Sequence, residues 1–168
     1  MESEHLHDEV EHIVSAWRRE RPDIDVRPLE VLSRVSRLAR HLDLARRKAF
    51  AASGIESWEF DVLAALRRQG EPYQLSPGKL LKETLVTSGT MTNRIDRLVK
   101  KEFVERRPLP GDRRGVLVRL TATGRDRVDA ALVDLLAREK EILASLDDQQ
   151  QAELAETLRT VLVPFDQQ

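Results

Sequence analysis

The sequence of 168 residues contains no cysteine. This absence excludes a disulfide framework, a thiolate metal site, a cysteine nucleophile and a cysteine redox switch. Long apolar runs are also missing, since none approaches the roughly 18 residues that a membrane span needs. The acidic N-terminus lacks the apolar stretch of a signal peptide. We therefore expect a cytoplasmic protein with no membrane partner.

Catalytic and cofactor motifs are absent as well. No P-loop, nucleophile elbow or dinucleotide fingerprint occurs, so we predict neither an enzyme, nor catalytic residues, nor a cofactor. The nearest group of metal-ligand residues is His5, His7 and His12, whose spacing differs from that of the zinc-protease motif. A metal site is therefore not predicted, although metal sensing by these histidines remains an alternative.

The charge is distributed unevenly along the chain. Apolar residues make up 40%, which is enough for a core, and the net charge is only −1. Residues 77–127, however, carry 13 basic and 6 acidic side chains, while residues 1–30 have a net charge of −5 and residues 128–168 of −6. A basic middle between acidic ends favours a local surface for a polyanion. The alternative is an ordinary solvated face.

Helical spacing of apolar residues predicts five helices before residue 102. The first ends near Arg21–Pro22 and carries the stripe Leu6, Val10, Ile13 and Trp17. The others are a long helix over 28–52, a third capped by Ser57 and ending before Gly70, a short one opening at Ser76-Pro77, and a fifth from about 90 to 101.

The pattern then changes to two short strands, 103–107 and 116–120, joined by a turn-rich loop over 108–115. Thr121 caps a long helix to about residue 146, and Asp147 opens the last helix with Gln150 as its capping-box partner. This order predicts a mainly α fold with a small β-hairpin (α+β), the arrangement of a winged helix-turn-helix. We divide the chain into 1–52, 53–121 and 122–168.

The fifth helix carries a polar face suited to DNA. Asn93 and Arg97 lie nearly opposite the apolar side; asparagine pairs with adenine and arginine with guanine. Ser88 and Thr90 lie in the first turn, where free N–H groups favour phosphate. Arginines on the hairpin tip suit a narrow minor groove. The predicted DNA-binding residues are Ser76, Lys79, Ser88, Thr90, Asn93, Arg97, Arg113 and Arg114. The alternatives are a solvated helix face and solvent-exposed turn charge.

Two further charges lie at the edges of apolar faces. Arg94 is about 85° from the centre of the apolar side of its helix, and Asp61 flanks the apolar edge of the third helix. A partly buried pair between them is one possibility, and two unrelated surface charges are the other. If the pair forms, a ligand that perturbs it would move the fifth helix.

The segment 85–98, the strand that follows it, the Asp112-Arg113-Arg114 tip and the segment 120–124 together resemble the MarR family of transcriptional regulators. The resemblance is dense over about 57–127. It implies a homodimer built from the terminal helices, with two winged helix-turn-helix lobes that bind double-stranded DNA at a palindromic operator. The 1–52 segment then contains an extra N-terminal helix and forms part of the helical dimerisation region together with 122–168.

Four residues resemble the pattern of the urate-responsive MarR subfamily: Trp17, Asp61, Arg94 and Arg106. The resemblance implies that Trp17 bounds an anionic ligand and that Arg106 anchors its charge. Asp61 would be repelled and would release Arg94 and the recognition helix. Urate, another purine and a di- or tricarboxylate stay open as effectors. Trp17 in simple packing, Arg106 on a phosphate, and an architectural winged-helix protein without an effector are the alternatives.

Overall fold

The computed structural model describes residues 7–84 and 86–166, without the side chains of Arg113 and Arg114. It confirms the mainly α fold with a small antiparallel sheet. The elements are α1 (Glu9–Glu20), α2 (Arg27–Ala52), α3 (Ser57–Arg68), β1 (Gln74–Leu75), α4 (Pro77–Thr84), α5 (Ser88–Lys100), β2 (Val104–Leu109), β3 (Asp112–Leu120), α6 (Ala122–Ile142) and α7 (Asp148–Asp166). The chain forms two compact units, Met1–Leu44 and Ala45–Gln168.

The first unit has a small core of its own. Val10 and Val14 of α1 are buried together with Val26. The guanidinium of Arg34 donates through both Nε and Nη2 to the two carboxylate oxygens of Asp8, at 2.7 and 2.9 Å. This bidentate pair joins the start of α1 to α2, and it lowers the pKa of Asp8.

The second unit is organised around α3, in which seven of twelve residues are buried. The apolar side of α5 packs into the same core through Met91, Ile95 and Leu98. Three antiparallel strands in the order β1-β3-β2 lie beside these helices. Because the core holds one side of α5, its other side is left to face solvent.

The junction between β2 and α6 depends on a close backbone approach. Thr121 accepts a hydrogen bond from the backbone N–H of Gly124 at 3.0 Å, which confirms it as the cap of α6. Its hydroxyl also lies 2.7 Å from the carbonyl oxygen of Glu102. A Cβ on Gly124 would lie only 2.0 Å from the carbonyl oxygen of Phe103, so this position requires glycine.

Several predicted boundaries were wrong. The N-cap of α3 is Glu56 rather than Ser57, because the carboxylate of Glu59 accepts the Glu56 backbone N–H at 2.9 Å. The strands are longer than predicted and leave a turn at Pro110–Gly111, where Gly111 has a φ of +83°. Helix α6 ends at Ile142 instead of 146.

The two-residue strand β1 was missed, because two residues show no alternation and pair only through the β3 backbone. The capping box of Asp147 and Gln150 is confirmed by reciprocal bonds of 2.8 and 2.9 Å. Predictions that involve His5, Leu6 and Leu85 fall outside the described residues.

Candidate nucleic-acid interface

The solvent-facing side of α5 carries the polar residues that the sequence predicted there. Ser88, Thr90, Asn93 and Arg97 are all exposed, opposite the buried apolar side. Thr87 caps the helix, and its hydroxyl bonds that of Thr90 at 2.9 Å. These side chains therefore present donors and acceptors along one accessible helix face, as base-edge recognition requires.

Helix α4 precedes α5 in the chain, and the hairpin of β2 and β3 follows it. The Ser76 hydroxyl accepts from the backbone N–H of Lys79 at 3.3 Å at the start of α4, and the Lys79 side chain is exposed. Arg113 and Arg114 lie in β3 next to the turn, but their side chains are outside the described part of the chain. Their role on DNA stays a prediction.

The guanidinium of Arg97 is held by the first turn of α3. Its Nη2 donates to Glu56 Oε1 at 2.8 Å, and its Cζ lies 4.7 Å from the ring centroid of Trp58. The indole Nε1 of Trp58 donates to the other Glu56 oxygen at 2.7 Å. That hydrogen bond, aided by the charge of Arg97, lowers the pKa of Glu56.

Glu56 and Trp58 were missed as functional candidates. A Glu-x-x-Glu spacing at Glu56 and Glu59 was the available signal, since it matches a capping box with glutamate in place of serine or threonine. It locates the N-terminus of α3 at Glu56. No spacing rule says that this turn reaches α5, because that contact joins residues 41 positions apart.

The predicted Asp61–Arg94 pair is not the one that the structure shows. Asp61 accepts from Arg46 Nη2 at 3.1 Å, and Arg94 lies over the ring of Trp58 with its Cζ at 5.4 Å from the centroid. Helix α2 brings Arg46 to the exposed edge of α3, where it pairs with Asp61. Trp58, one turn before Asp61, lies under the guanidinium of Arg94.

Arg106 is exposed on β2 and pairs with Asp96 of α5. This contact links the hairpin directly to α5. Trp17 lies on α1 in the first unit with 47% of its surface exposed. The structure therefore gives Asp61, Arg94 and Arg106 three separate partners in the second unit.

A surface cavity of about 430 Å³ lies against the exposed side of α5. It is lined by Trp58, Gly89, Thr90, Asn93, Arg94 and Arg97.

Within residues 7–84 and 86–166, no group of three or more histidine or acidic side chains is placed to hold a metal ion. No helix in the same ranges is long and apolar enough to cross a membrane.

Comparison with known proteins identifies the family. A model of the MarR family matches residues 53–115. The HTH-type transcriptional regulator PecS of Dickeya dadantii is 36% identical over 153 residues, which are 91% of this chain and 92% of that protein. The chain belongs to the MarR family.

Solved structures of similar proteins share the fold. A mutant MarR from E. coli complexed with operator DNA matches with a TM-score of 0.67 and 30% identity, over 83% of this chain and 99% of that one. Bordetella bronchiseptica BpsR, whose DNA binding is regulated by 6-hydroxynicotinic acid, matches with a TM-score of 0.66 and 25% identity, over 78% and 91%. The homologues are transcriptional regulators rather than enzymes, and this chain is a DNA-binding regulator of that family.

Proposed function

We propose that this MarR-family regulator is a repressor that binds a palindromic operator as a homodimer and is released by a small anionic metabolite. The observation that carries the DNA-binding part is the exposed polar face of α5. The operator complex of the E. coli relative, 30% identical to this chain, supports the same use of the fold. As a regulator of transcription it would act in the cytoplasm, with the DNA.

The homodimer is supported by apolar surface that the single chain leaves uncovered. No described residue of α7 is buried. Helices α6 and α7 instead expose Leu132, Val133, Leu136, Leu154, Val161, Leu162, Val163 and Phe165. Uncovered apolar side chains that recur along a helix are typical of a protein interface. We assign 122–168 and the N-terminal 1–52 to dimerisation and 53–121 to DNA binding. In a dimer on one face of the duplex, the two α5 helices would lie about one DNA turn apart, roughly 34–36 Å.

The effector is an anion that binds Arg106 and competes with Asp96 for it. Because Asp96 is on α5, this competition would break the link between the hairpin and the recognition helix. We keep Trp17, Asp61 and Arg94 in the effector site by their resemblance to the subfamily pattern. BpsR, which shares this fold and is regulated by 6-hydroxynicotinic acid, supports an anionic effector. Urate, purines and citrate- or aconitate-like acids are the candidates for this chain.

Two linked experiments test the proposal. Selection from a randomised duplex pool should return a palindrome bound by two protomers, and a non-palindromic consensus would contradict it. A thermal-shift and DNA-release panel of urate, purines, tricarboxylates and 6-hydroxynicotinic acid should then give an effector that lowers DNA affinity roughly 5–150-fold. Arg106→Ala should abolish that release. Release that survives Arg106→Ala would remove Arg106 from the site, and failure of every anion would favour a regulator without such an effector.

A further inference from the structure

The first turn of α3 contacts three basic residues that lie along one side of α5. Glu56 holds Arg97, and Trp58 lies under the guanidiniums of both Arg94 and Arg97. The Nζ of Lys101, just after α5, lies 2.6 Å from Glu59 Oε1. These three basic residues are spaced by three and four positions, so they lie on one side of α5.

The anchoring end of this contact is buried. The Glu59 side chain is fully buried, and its two oxygens face Lys101 and the Glu56 backbone N–H. A buried carboxylate must be compensated, so the Lys101–Glu59 pair secures the end of α5 to α3. The other end is exposed, since about half of the side-chain surface of both Arg97 and Glu56 remains accessible.

At the exposed end, Glu56 and Trp58 hold the Arg97 guanidinium but leave most of its N–H donors available. A guanidinium has five N–H donors in one plane. One Nη2 donor of Arg97 goes to Glu56 and the ring of Trp58 packs near the plane, so the other donors remain for a partner. Arg97 is thereby ordered before DNA arrives, which reduces the entropy lost when it makes a base contact.

The negative charge of Glu56 acts in the same direction. A carboxylate 2.8 Å from Arg97 opposes a phosphate that approaches the same guanidinium,. Binding to random duplex depends mainly on phosphate contacts. Glu56 therefore weakens the phosphate contact that Arg97 would make on any duplex. It also orients the base contact that Arg97 makes on the operator.

We propose that Glu56 and Trp58 are positioning residues that hold the Arg97 guanidinium for base recognition and so set the preference of this protein for its operator over random DNA. This inference rests on the proposed function, because it needs Arg97 to touch DNA. It adds that specificity is set partly by α3, a helix outside the predicted DNA-binding residues.

The test uses Glu56→Gln in the full-length protein, because glutamine keeps an acceptor for Trp58 and removes the charge. The measured quantity is the ratio of affinities for a duplex selected by the wild-type protein and for a random duplex of equal length. We expect this ratio to fall about fivefold, the low end of what one bidentate base contact provides, because the base contact loses its orientation while the random duplex binds more tightly. Glu83→Gln is the matched control. Glu83 pairs with Arg68 at 3.2 Å on the surface, so this variant removes the same charge, and its ratio should stay at the wild-type value.

A double-mutant cycle separates positioning from general electrostatics. In an Arg97→Ala background, Glu56→Gln should no longer change the ratio. An unchanged ratio in Glu56→Gln alone, or an equal fall with and without Arg97, would overturn the proposal. Thermal unfolding of Glu56→Gln should stay cooperative and lose only the small contribution of one exposed carboxylate pair, so a general loss of structure would not explain a change in the ratio.

A measurement without DNA keeps the two proposals distinguishable. The chain has two tryptophans, so Trp17→Phe leaves Trp58 as the reporter. Its emission should change in both Glu56→Gln and Arg97→Ala, with no further change when they are combined. Emission that responds to neither overturns the positioning role even if DNA binds. Failure of the wild-type protein to select any duplex, with the emission response intact, removes the proposed function and with it the role of Glu56 in specificity.

Discussion

Helices α3 and α7 belong to the same unit but meet their surroundings in opposite ways. Helix α3 buries seven of twelve residues, including the carboxylate of Glu59, whereas α7 buries none of its nineteen. The winged lobe around α3 therefore completes its own core, and α7 has an apolar surface but no core within one chain. The difference separates the lobe that we propose contacts DNA from the helix that we propose packs against a second copy.

The largest effect is expected in the core that α3 and α5 share. Leu98→Ala removes a fully buried side chain of α5 and should lower the free energy of unfolding by about 2–5 kcal/mol,. Urea unfolding at a protein concentration where the chain is monomeric measures this loss. Leu162→Ala in α7 should cost little under the same conditions, because 55% of Leu162 is exposed. Equal losses would erase the contrast between the two helices.

The second effect tests the need of α7 for a partner. Leu162→Asp places a charge in the exposed apolar surface and should yield monomers in sedimentation velocity. Operator affinity should fall about 100-fold, since a monomer binds one half-site and loses the contacts of the other. Gln149→Asp adds the same charge to an exposed polar position of α7 and should leave a dimer. A dimeric Leu162→Asp protein would show that this surface is not the interface.

The third effect concerns the exposed face of α5. Asn93→Ala should weaken operator binding by about 1–3 kcal/mol and leave binding to random duplex nearly unchanged, because a base contact is lost. Lys100→Ala, on the same helix, should weaken both alike and reduce the salt dependence by about one phosphate contact. Titrations at 50 and 200 mM salt distinguish the two. Parallel losses in both variants would mean that α5 only neutralises phosphate.

The smallest effect is the acid response of Glu56. Its pKa is lowered in the folded protein by the Trp58 hydrogen bond and by Arg97. The contribution of Glu56 to stability is therefore complete above its ordinary pKa of 4.5 and is lost as pH falls through the lower folded value,. In the Trp17→Phe protein, Trp58 emission should change with a midpoint below pH 4.5, and Glu56→Gln should lack this transition. A midpoint above 4.5 would contradict the assignment.

Local sequence signals predicted the fold well where a residue is decided by its neighbours in the chain. The caps at Thr121 and Asp147 and the two-sided character of α5 depend on spacings of three or four residues, and the structure confirms them. Strand β1 depends on pairing with β3, more than 40 residues away, and had no local signal.

The same limit applies to the candidate site. The exposed face of α5 followed from helical periodicity. The partners of Arg94, Arg97 and Asp61 did not, because each depends on which side chains come within reach when the helices pack. The position of Arg94 at the edge of the apolar side indicated an inward contact, but packing supplied Trp58 instead of Asp61.

The proposal that a homodimer binds a palindromic operator is tested most directly with the wild-type protein and one selected palindrome. The measured quantities are the number of protomers bound and the affinity relative to other duplexes. Fluorescence anisotropy with this duplex, its isolated half-site and a scrambled duplex should show two protomers per palindrome. The scrambled duplex should bind at least about 1,000-fold more weakly, and the half-site should lie between the two. Equal affinity for the palindrome and the scrambled duplex, or one protomer per palindrome, would contradict this mechanism.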